Sequence, residues 1–442
     1  MERRRIALDS SSSSDDSSPN IRRTFLGRRP PSSLLRRLTT SRSRPNTRQK
    51  KMNEEERQKL LQQRRQKKEE NRKKEEKVRK EKEESRSKQR LELLDEEAKE
   101  VCKKYKVQWE NTDKETAGEN LECWKAIKNP SLNCFMIASM QSLLSLPEFV
   151  KYFSDGSDGD LAEESKEITF SKELNPNAKV SCLMQDLLKE YYDSDTAVLD
   201  VTKVRSEFSA NFPESEMHDS CQFILALLNI LENELNPSEQ QFIPLGIKNN
   251  LEAWKKYQEA CPSIVGKLFV GMEETIYQCK KCSHERKIYE EFKNMSIKCT
   301  PKASIKGFIE FLSQLSSSEE IQMKCKKCKN IQDLVMKKRI IRYPKYLMLV
   351  IGRKDPFTQE EIKGFVDYPN SFVQFDPQSD KEITYTLNNV IINVNALHYS
   401  TYCKRGSRWV RLENKKVKAV HPSDLKSEYA YILFYEAKDL KI

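Results

Sequence analysis

Asn129-Pro130-Ser131-Leu132-Asn133-Cys134-Phe135-Met136, running into the largely apolar stretch from Ile137 to Leu146, decides how this chain is read. A Cys directly behind an Asn, at the head of a helix-like pattern, is a thiol placed for chemistry. Asn133 is predicted to be the N-cap, its side chain accepting a hydrogen bond from a first-turn N–H. Cys134 then sits against the positive end of the helix dipole, which favours the thiolate. The competing reading is a core cysteine, since Cys is among the most buried residues. What separates the two is a general base supplied from elsewhere in the fold.

The chain has four histidines to offer. His218 precedes an apolar helical run, His284 lies two residues past a Cys pair, and His421 opens a turn-like Pro-Ser-Asp. For His218 and His421 a hydrogen-bonded structural role is the plainer reading. His398 differs, because it ends the strand-like Val390 to Leu397 and begins Tyr399-Ser400-Thr401-Tyr402. A ring at the junction of two strands is held by a sheet while its edge stays reachable.

Cys279-Lys280-Lys281-Cys282 and Cys325-Lys326-Lys327-Cys328 form a second signal. Two Cys-x-x-Cys pairs supply the four thiolates of a closed tetrahedral Zn2+ site. The lysines inside both knuckles offset part of the thiolate charge. A redox dithiol explains one pair, but two pairs without a thioredoxin-like context favour metal. Four thiolates leave His284 no vacancy.

These residues carry a family resemblance. Cys134-Phe135-Met136, with Gln141-Ser142-Leu143 following, resembles the Cys box of the ubiquitin-specific proteases, papain-like cysteine deubiquitinases. Asn129 lies where that family keeps its oxyanion-hole Asn. His218-Asp219-Ser220-Cys221-Gln222-Phe223-Ile224 resembles the Gln-Gln-Asp-Ala-x-Glu-Phe-Leu box, and Leu397-His398-Tyr399-Ser400-Thr401-Tyr402 the His box. Trp409 leads to Glu413-Asn414, where the family has an Asp or Asn pair, and Tyr429 to Tyr435 is similar to its closing strand. Each box is loose alone; five in register, over roughly residues 120 to 437, are specific.

The resemblance implies an α+β hand with a helical thumb, zinc-tipped β fingers and a β-rich palm. It implies a cysteine isopeptidase acting on ubiquitin and ubiquitinated proteins. In that reading Cys134 is the nucleophile, His398 the base and Asn129 the oxyanion donor. Glu413 falls at the third triad position by direct register from Trp409, with Asn414 beside it, and both remain candidates for orienting the ring. The departures are Ser131 and Leu397 where the family has Gly, and Leu132 and Ile137 where it has Asn. An inactive ubiquitin-binding relative of the same fold is therefore an alternative reading. A zinc-ribbon nucleic-acid-binding protein with a basic arm is another, which leaves the Cys and His boxes unexplained.

Charge locates the rest. Residues 1–100 hold 31 Lys and Arg against 19 Asp and Glu, which is the whole of the chain's +12. The remainder is balanced, so the net charge does not argue for nucleic acid as a partner of the folded part. Residues 1–52 join Ser/Asp and Arg-rich segments with too few apolar residues for a core, predicting disorder. Residues 53–110 predict a charged helix without an a/d seam, supported by pairs such as Glu76 with Lys80. The expected catalytic domain is 120–437. Removal of residues 1–100 is expected to spare the chemistry and to weaken contacts with an acidic partner or nuclear import.

No stretch reaches the ~20 apolar residues of a membrane span. Twelve cysteines with no apolar leader at the start predict a reducing compartment, cytoplasmic and/or nuclear. Periodicity predicts helices over 100–110, 134–146, 180–192, 219–235 and 303–314. Strands are predicted over 268–277, 286–296, 334–342, 346–352, 382–395, 399–403 and 429–436. The acidic loop from Ser154 to Asp160 lacks the closing Glu of a calcium loop, so no metal is assigned there.

Overall fold

Glu, Lys, Arg and Gln without Gly or Pro favour a helix, and in the computed structural model α1 runs from Glu54 to Leu93. The structure describes residues 54–440 apart from 110–124, 130–131, 155–169, 171–176, 194–197, 237–241, 245, 300–304, 355–357, 359, 363, 396, 407 and 439. The tail 1–52, Ser131 and most of the acidic loop lie outside the described residues. From Asn71 onward the chain forms one compact unit. No helix among the described residues is long and apolar enough to cross a membrane.

The end of α1 is docked on this unit, where a solvated helix was expected. Arg79, Arg86 and Arg90 share one helix face. Arg90 is 8% exposed, donates from Nε to Asp367 at 2.9 Å, and lies over the Trp109 ring. Arg79 reaches Asp424 at 3.5 Å and Arg86 donates to the Ser423 carbonyl at 3.4 Å. The expectation rested on the scarcity of aliphatic residues, and it missed that an Arg stem and guanidinium can cover a buried carboxylate. The helix also ends early. Asp95 caps a separate α2, Glu96–Lys104, accepting from the Ala98 N–H at 2.9 Å. Ala98 packs on Ile305 and Ile309, and Tyr105 enters the core of the larger sheet.

A truncation follows from this packing. Starting the chain at residue 71 should leave the melting temperature nearly unchanged. Starting it at 101 removes Arg90 from Asp367 and Ala98 from its cluster, and should cost on the order of 3 kcal/mol. Thermal melts of both forms check this; equal melting temperatures would mean the docked arginines contribute nothing.

The short β1, Ala126–Ile127, leads to α3, Cys134–Leu143, and α4, Pro147–Phe153. α5, Lys179–Asp193, precedes β2, Val198–Leu199, which pairs parallel with β1. α6, Thr202–Glu207, α7, Ser220–Glu234, α8, Asn250–Ala260, and α9, Ile264–Phe269, complete a helical lobe. β3, Gly271–Cys279, and β4, Glu285–Phe292, then form a hairpin. β5, Met295–Lys298, and α10, Lys306–Gln314, separate it from β6, Ser316–Lys324, and β7, Ile331–Arg342. Together β4-β3-β7-β6 make a four-stranded antiparallel ribbon.

The remaining strands are β8, Tyr346–Gly352, β9, Ser371–Asp376, β10, Lys381–Val394, and β11, His398–Arg405. β12, Arg408–Glu413, β13, Lys416–Val420, and β14, Ala430–Ala437, follow. They build a sheet ordered β13-β12-β11-β10-β14-β8-β5, with β9 added on β10. This is the α+β hand: helical thumb, β fingers and β palm.

A helix that is apolar all round must be buried, and all ten residues of α3 are. It lies between α7 and β11. Ser139 bonds to the Ser220 carbonyl of α7 and Gln141 to the Lys125 carbonyl, while Ser142 binds α3 to the sheet. Ser142 Oγ meets Thr401 Oγ1 at 2.9 Å, and Asn389 donates to the Ser142 carbonyl at 2.8 Å. These bonds fix the register of α3 against β11, and so the placement of Cys134 relative to His398.

Candidate active site and metal centre

Cys134 opens α3, is 5% exposed, and directs its Sγ at the Leu397 carbonyl 3.9 Å away. His398 follows immediately as the first residue of β11. Its Nε2 lies 2.9 Å from Glu413 Oε1, at the end of the paired strand β12. Arg411 holds the other carboxylate oxygen of Glu413 at 3.1 Å. With Nε2 engaged, Nδ1 is the ring nitrogen left for another partner.

Glu413 and Asn414 contact different groups. Asn414 sits in the turn between β12 and β13 with φ 50°, a left-handed conformation that Asn tolerates. Its Oδ1 accepts from Asn129 Nδ2 at 2.9 Å. Asn129 Oδ1 in turn accepts from the Asn133 N–H at 3.3 Å. The two bonds fix the orientation of the Asn129 amide and leave its second Nδ2 hydrogen for another acceptor.

Asn133 departs from the expectation. It occupies the N-cap position, but with ψ 15° and no side-chain cap bond. Its Oδ1 instead accepts from Arg205 Nε at 2.8 Å. Among the departures, Ile137 is core, while Leu132 and Leu397 are 46% and 66% exposed beside the thiol and the ring. The left-handed residue in the described part of the β10–β11 turn is Asn395, φ 53°, so Leu397 needs no glycine conformation.

The other histidines stand apart. His218 Nε2 meets the Pro213 carbonyl at 2.7 Å, its ring edge-on to Phe135 and Phe212. His421 accepts from the Ser423 N–H at 3.2 Å, capping a short 3-10 turn. Asp219 follows His218 in the same motif. It caps α7 through the Gln222 N–H at 3.0 Å, and accepts from Tyr431 at 2.7 Å and Tyr399 at 3.4 Å. Burial, and then the Asp219 charge, hold both phenols well above their ordinary pKa. The motif itself was the signal for Asp219. Arg205 had none, because a lone Arg in a short polar helix carries no pattern.

At the ribbon tip, Cys279, Cys282, Cys325 and Cys328 bring four sulfurs within 4.8 Å of one another. The two knuckles repeat one construction. Cys279 and Cys325 carbonyls accept from the Ser283 and Lys329 N–H groups at 2.9 and 2.8 Å. Both donors, Ser283 and Lys329, have positive φ, 52° and 65°. Cys279–Cys328 and Cys282–Cys325 sulfur separations are 3.9 and 3.7 Å. A tetrahedron with metal–sulfur bonds near 2.3 Å has edges of about 3.8 Å, so the donors fit such an ion. The Cys328 N–H donates to Cys325 Sγ at 3.4 Å and helps pull that thiol down to about 7. His284 is not in the cluster.

A family model described as ubiquitin carboxyl-terminal hydrolase matches residues 126–435. Ubiquitin carboxyl-terminal hydrolase Usp2 of Drosophila melanogaster is 23% identical over 338 residues, covering 70% of this chain and 34% of that protein. Ubiquitin carboxyl-terminal hydrolase 8 of Saccharomyces cerevisiae is 20% identical over 351 residues, covering 71% and 70%. The chain thus spans about a third of the first relative's length and most of the second's. A solved structure of the yeast SAGA DUBm superposes with TM-score 0.53 at 18% identity, covering 74% of this chain and 72% of its own. The SAGA Ubp8/Sgf11/Sus1/Sgf73 DUB module bound to ubiquitin aldehyde gives 0.54 at 19%, covering 78% and 74%.

Proposed function

Because the chain belongs to the ubiquitin carboxyl-terminal hydrolase family, we propose that it is a cysteine isopeptidase releasing ubiquitin from conjugated proteins through a thioester. The observation that carries this reading is the Cys134 thiol beside the Leu397 carbonyl, with the next residue, His398, tied to Glu413. Cys134 Sγ attacks the carbonyl of ubiquitin's C-terminal Gly while His398 Nδ1 takes the thiol proton. The C–N bond to the substrate lysine then breaks as the same proton passes to the leaving amine. Water, deprotonated by His398, resolves the thioester and frees both thiol and carboxylate.

In this reading Asn129 donates its remaining Nδ2 hydrogen to the oxyanion as a preorganised dipole. Glu413 orients the ring and stabilises its charged form. Asn414 acts on Asn129 and not on the ring. The catalytic domain is 120–437, and α2 with the end of α1 packs onto it. Turnover of a ubiquitin C-terminal fluorogenic amide tests the function. Asn129→Ala should lower kcat by about 10²–10³-fold, the usual loss for one oxyanion donor. Absence of turnover by the unaltered chain would favour the ubiquitin-binding scaffold.

Ubiquitin is the proposed partner because relatives carry that name and a neighbouring structure is described as bound to ubiquitin aldehyde. An acidic partner for the tail, and a cytoplasmic and/or nuclear location, belong to the same reading. The metal is Zn2+, held by Cys279, Cys282, Cys325 and Cys328, and its role is structural: it closes a ribbon whose tip has little apolar core. Metal analysis should find about one zinc per chain. Cys279→Ser or Cys325→Ser should loosen the ribbon before the palm, read by hydrogen exchange. Unchanged exchange and no zinc in the unaltered chain would refute this.

A further inference from the structure

We propose that Arg205 is a positioning residue for the oxyanion site, acting through Asn133; this rests on the thioester chemistry assigned to Cys134. Arg205 is 3% exposed. Its guanidinium donates from Nε to Asn133 Oδ1 at 2.8 Å and from Nη2 to the Phe212 carbonyl, while buried Nη1 has no partner among the described residues. No carboxylate is paired with Arg205 among the described ion pairs. A buried cation held by neutral acceptors, with one donor unused, is poor design for stability, and an apolar side chain of that size would serve the core better. What it does instead is local.

Asn at an N-cap ordinarily turns its oxygen onto the first-turn N–H groups. Arg205 takes that oxygen, and Asn133 makes no such cap. The N terminus of α3, where the oxyanion forms beside Cys134, therefore keeps its N–H groups clear of a competing side chain. Asn133 also donates its N–H to Asn129 Oδ1 at 3.3 Å, and Asn129 donates to Asn414 at 2.9 Å. The bonds run Arg205, Asn133, Asn129, Asn414, from thumb helix α6 to the palm turn. Asn133 is the link through which Arg205 fixes both the open helix terminus and the amide that faces the oxyanion.

Arg205→Met keeps length and burial but removes every donor. With the ubiquitin fluorogenic amide, kcat should fall roughly tenfold to a hundredfold, as for about an ångström of misplacement, with KM within about twofold. Alkylation of Cys134 by iodoacetamide, which passes through no oxyanion, should keep its rate and pH profile. In an Asn129→Ala background the same substitution should cost less than it does alone, because the share that acts through the Asn129 amide is already gone. Asn133→Ala removes the contact from the other side and should reproduce the pattern if Arg205→Met fails to fold. An unchanged kcat, a full-sized loss in the Asn129→Ala background, or a parallel loss of alkylation would overturn the role of Arg205. An unaltered chain that neither turns over nor is labelled by a ubiquitin electrophile would overturn the proposed function itself.

Discussion

Cys134→Ser should abolish hydrolysis of ubiquitin conjugates, by about 10⁴-fold or more, while ubiquitin binding survives. The substitution exchanges sulfur for oxygen in a position 5% exposed and disturbs little volume. What it removes is the thiol, and the hydroxyl that replaces it needs a far stronger base to become a nucleophile. Steady-state turnover and a binding titration on the same preparation check both halves. Cys221 is a poor substitute, because burial, followed by the Asp219 charge, pushes its thiol up to about 12. Persistent turnover in the Cys134→Ser chain would move the chemistry elsewhere.

Glu413→Ala should cost on the order of 10⁴-fold in kcat, the loss seen when the group that orients a catalytic imidazole is disabled. It leaves Nε2 of His398 without its 2.9 Å partner and frees the ring to turn from the thiol. Asn414→Ala should act differently. It releases Asn129, so its effect should be small in an Asn129→Ala background and nearly full-sized in a Glu413→Ala background. Equal, additive losses in all backgrounds would contradict the separate roles.

Much of this was legible in local pattern. Cys134 at a helix start, His398 at a strand start and the two knuckles are each set by neighbours in sequence. The carboxylate that meets His398 was legible to within one residue. Register along β12 brought Glu413 and Asn414 equally close, and the backbone turn sends them to different partners. Among the elements missed, β6 had weak periodicity. β6, Ser316–Lys324, is a mostly exposed ribbon edge whose Ser and Glu residues give little apolar alternation. The segment predicted as one strand over 286–296 is split near Asn294, with β4 joining the ribbon and β5 the palm. Asn133 looked like an N-cap because an Asn before a helix usually is one; the buried Arg205 that claims its oxygen comes from 72 residues away. Tertiary contact of that kind leaves no trace in a window of sequence.

The proposed function requires a competent thiol at Cys134 that recognises the C terminus of ubiquitin. Ubiquitin and a panel of ubiquitin-like proteins, each carrying a C-terminal electrophilic warhead, test it most directly, with the modified residue located by mass spectrometry. The expected result is one ubiquitin adduct per chain, on Cys134, lost in Cys134→Ser and weaker with the other modifiers. No adduct with ubiquitin, or an adduct on Cys123 or Cys221, would contradict the account.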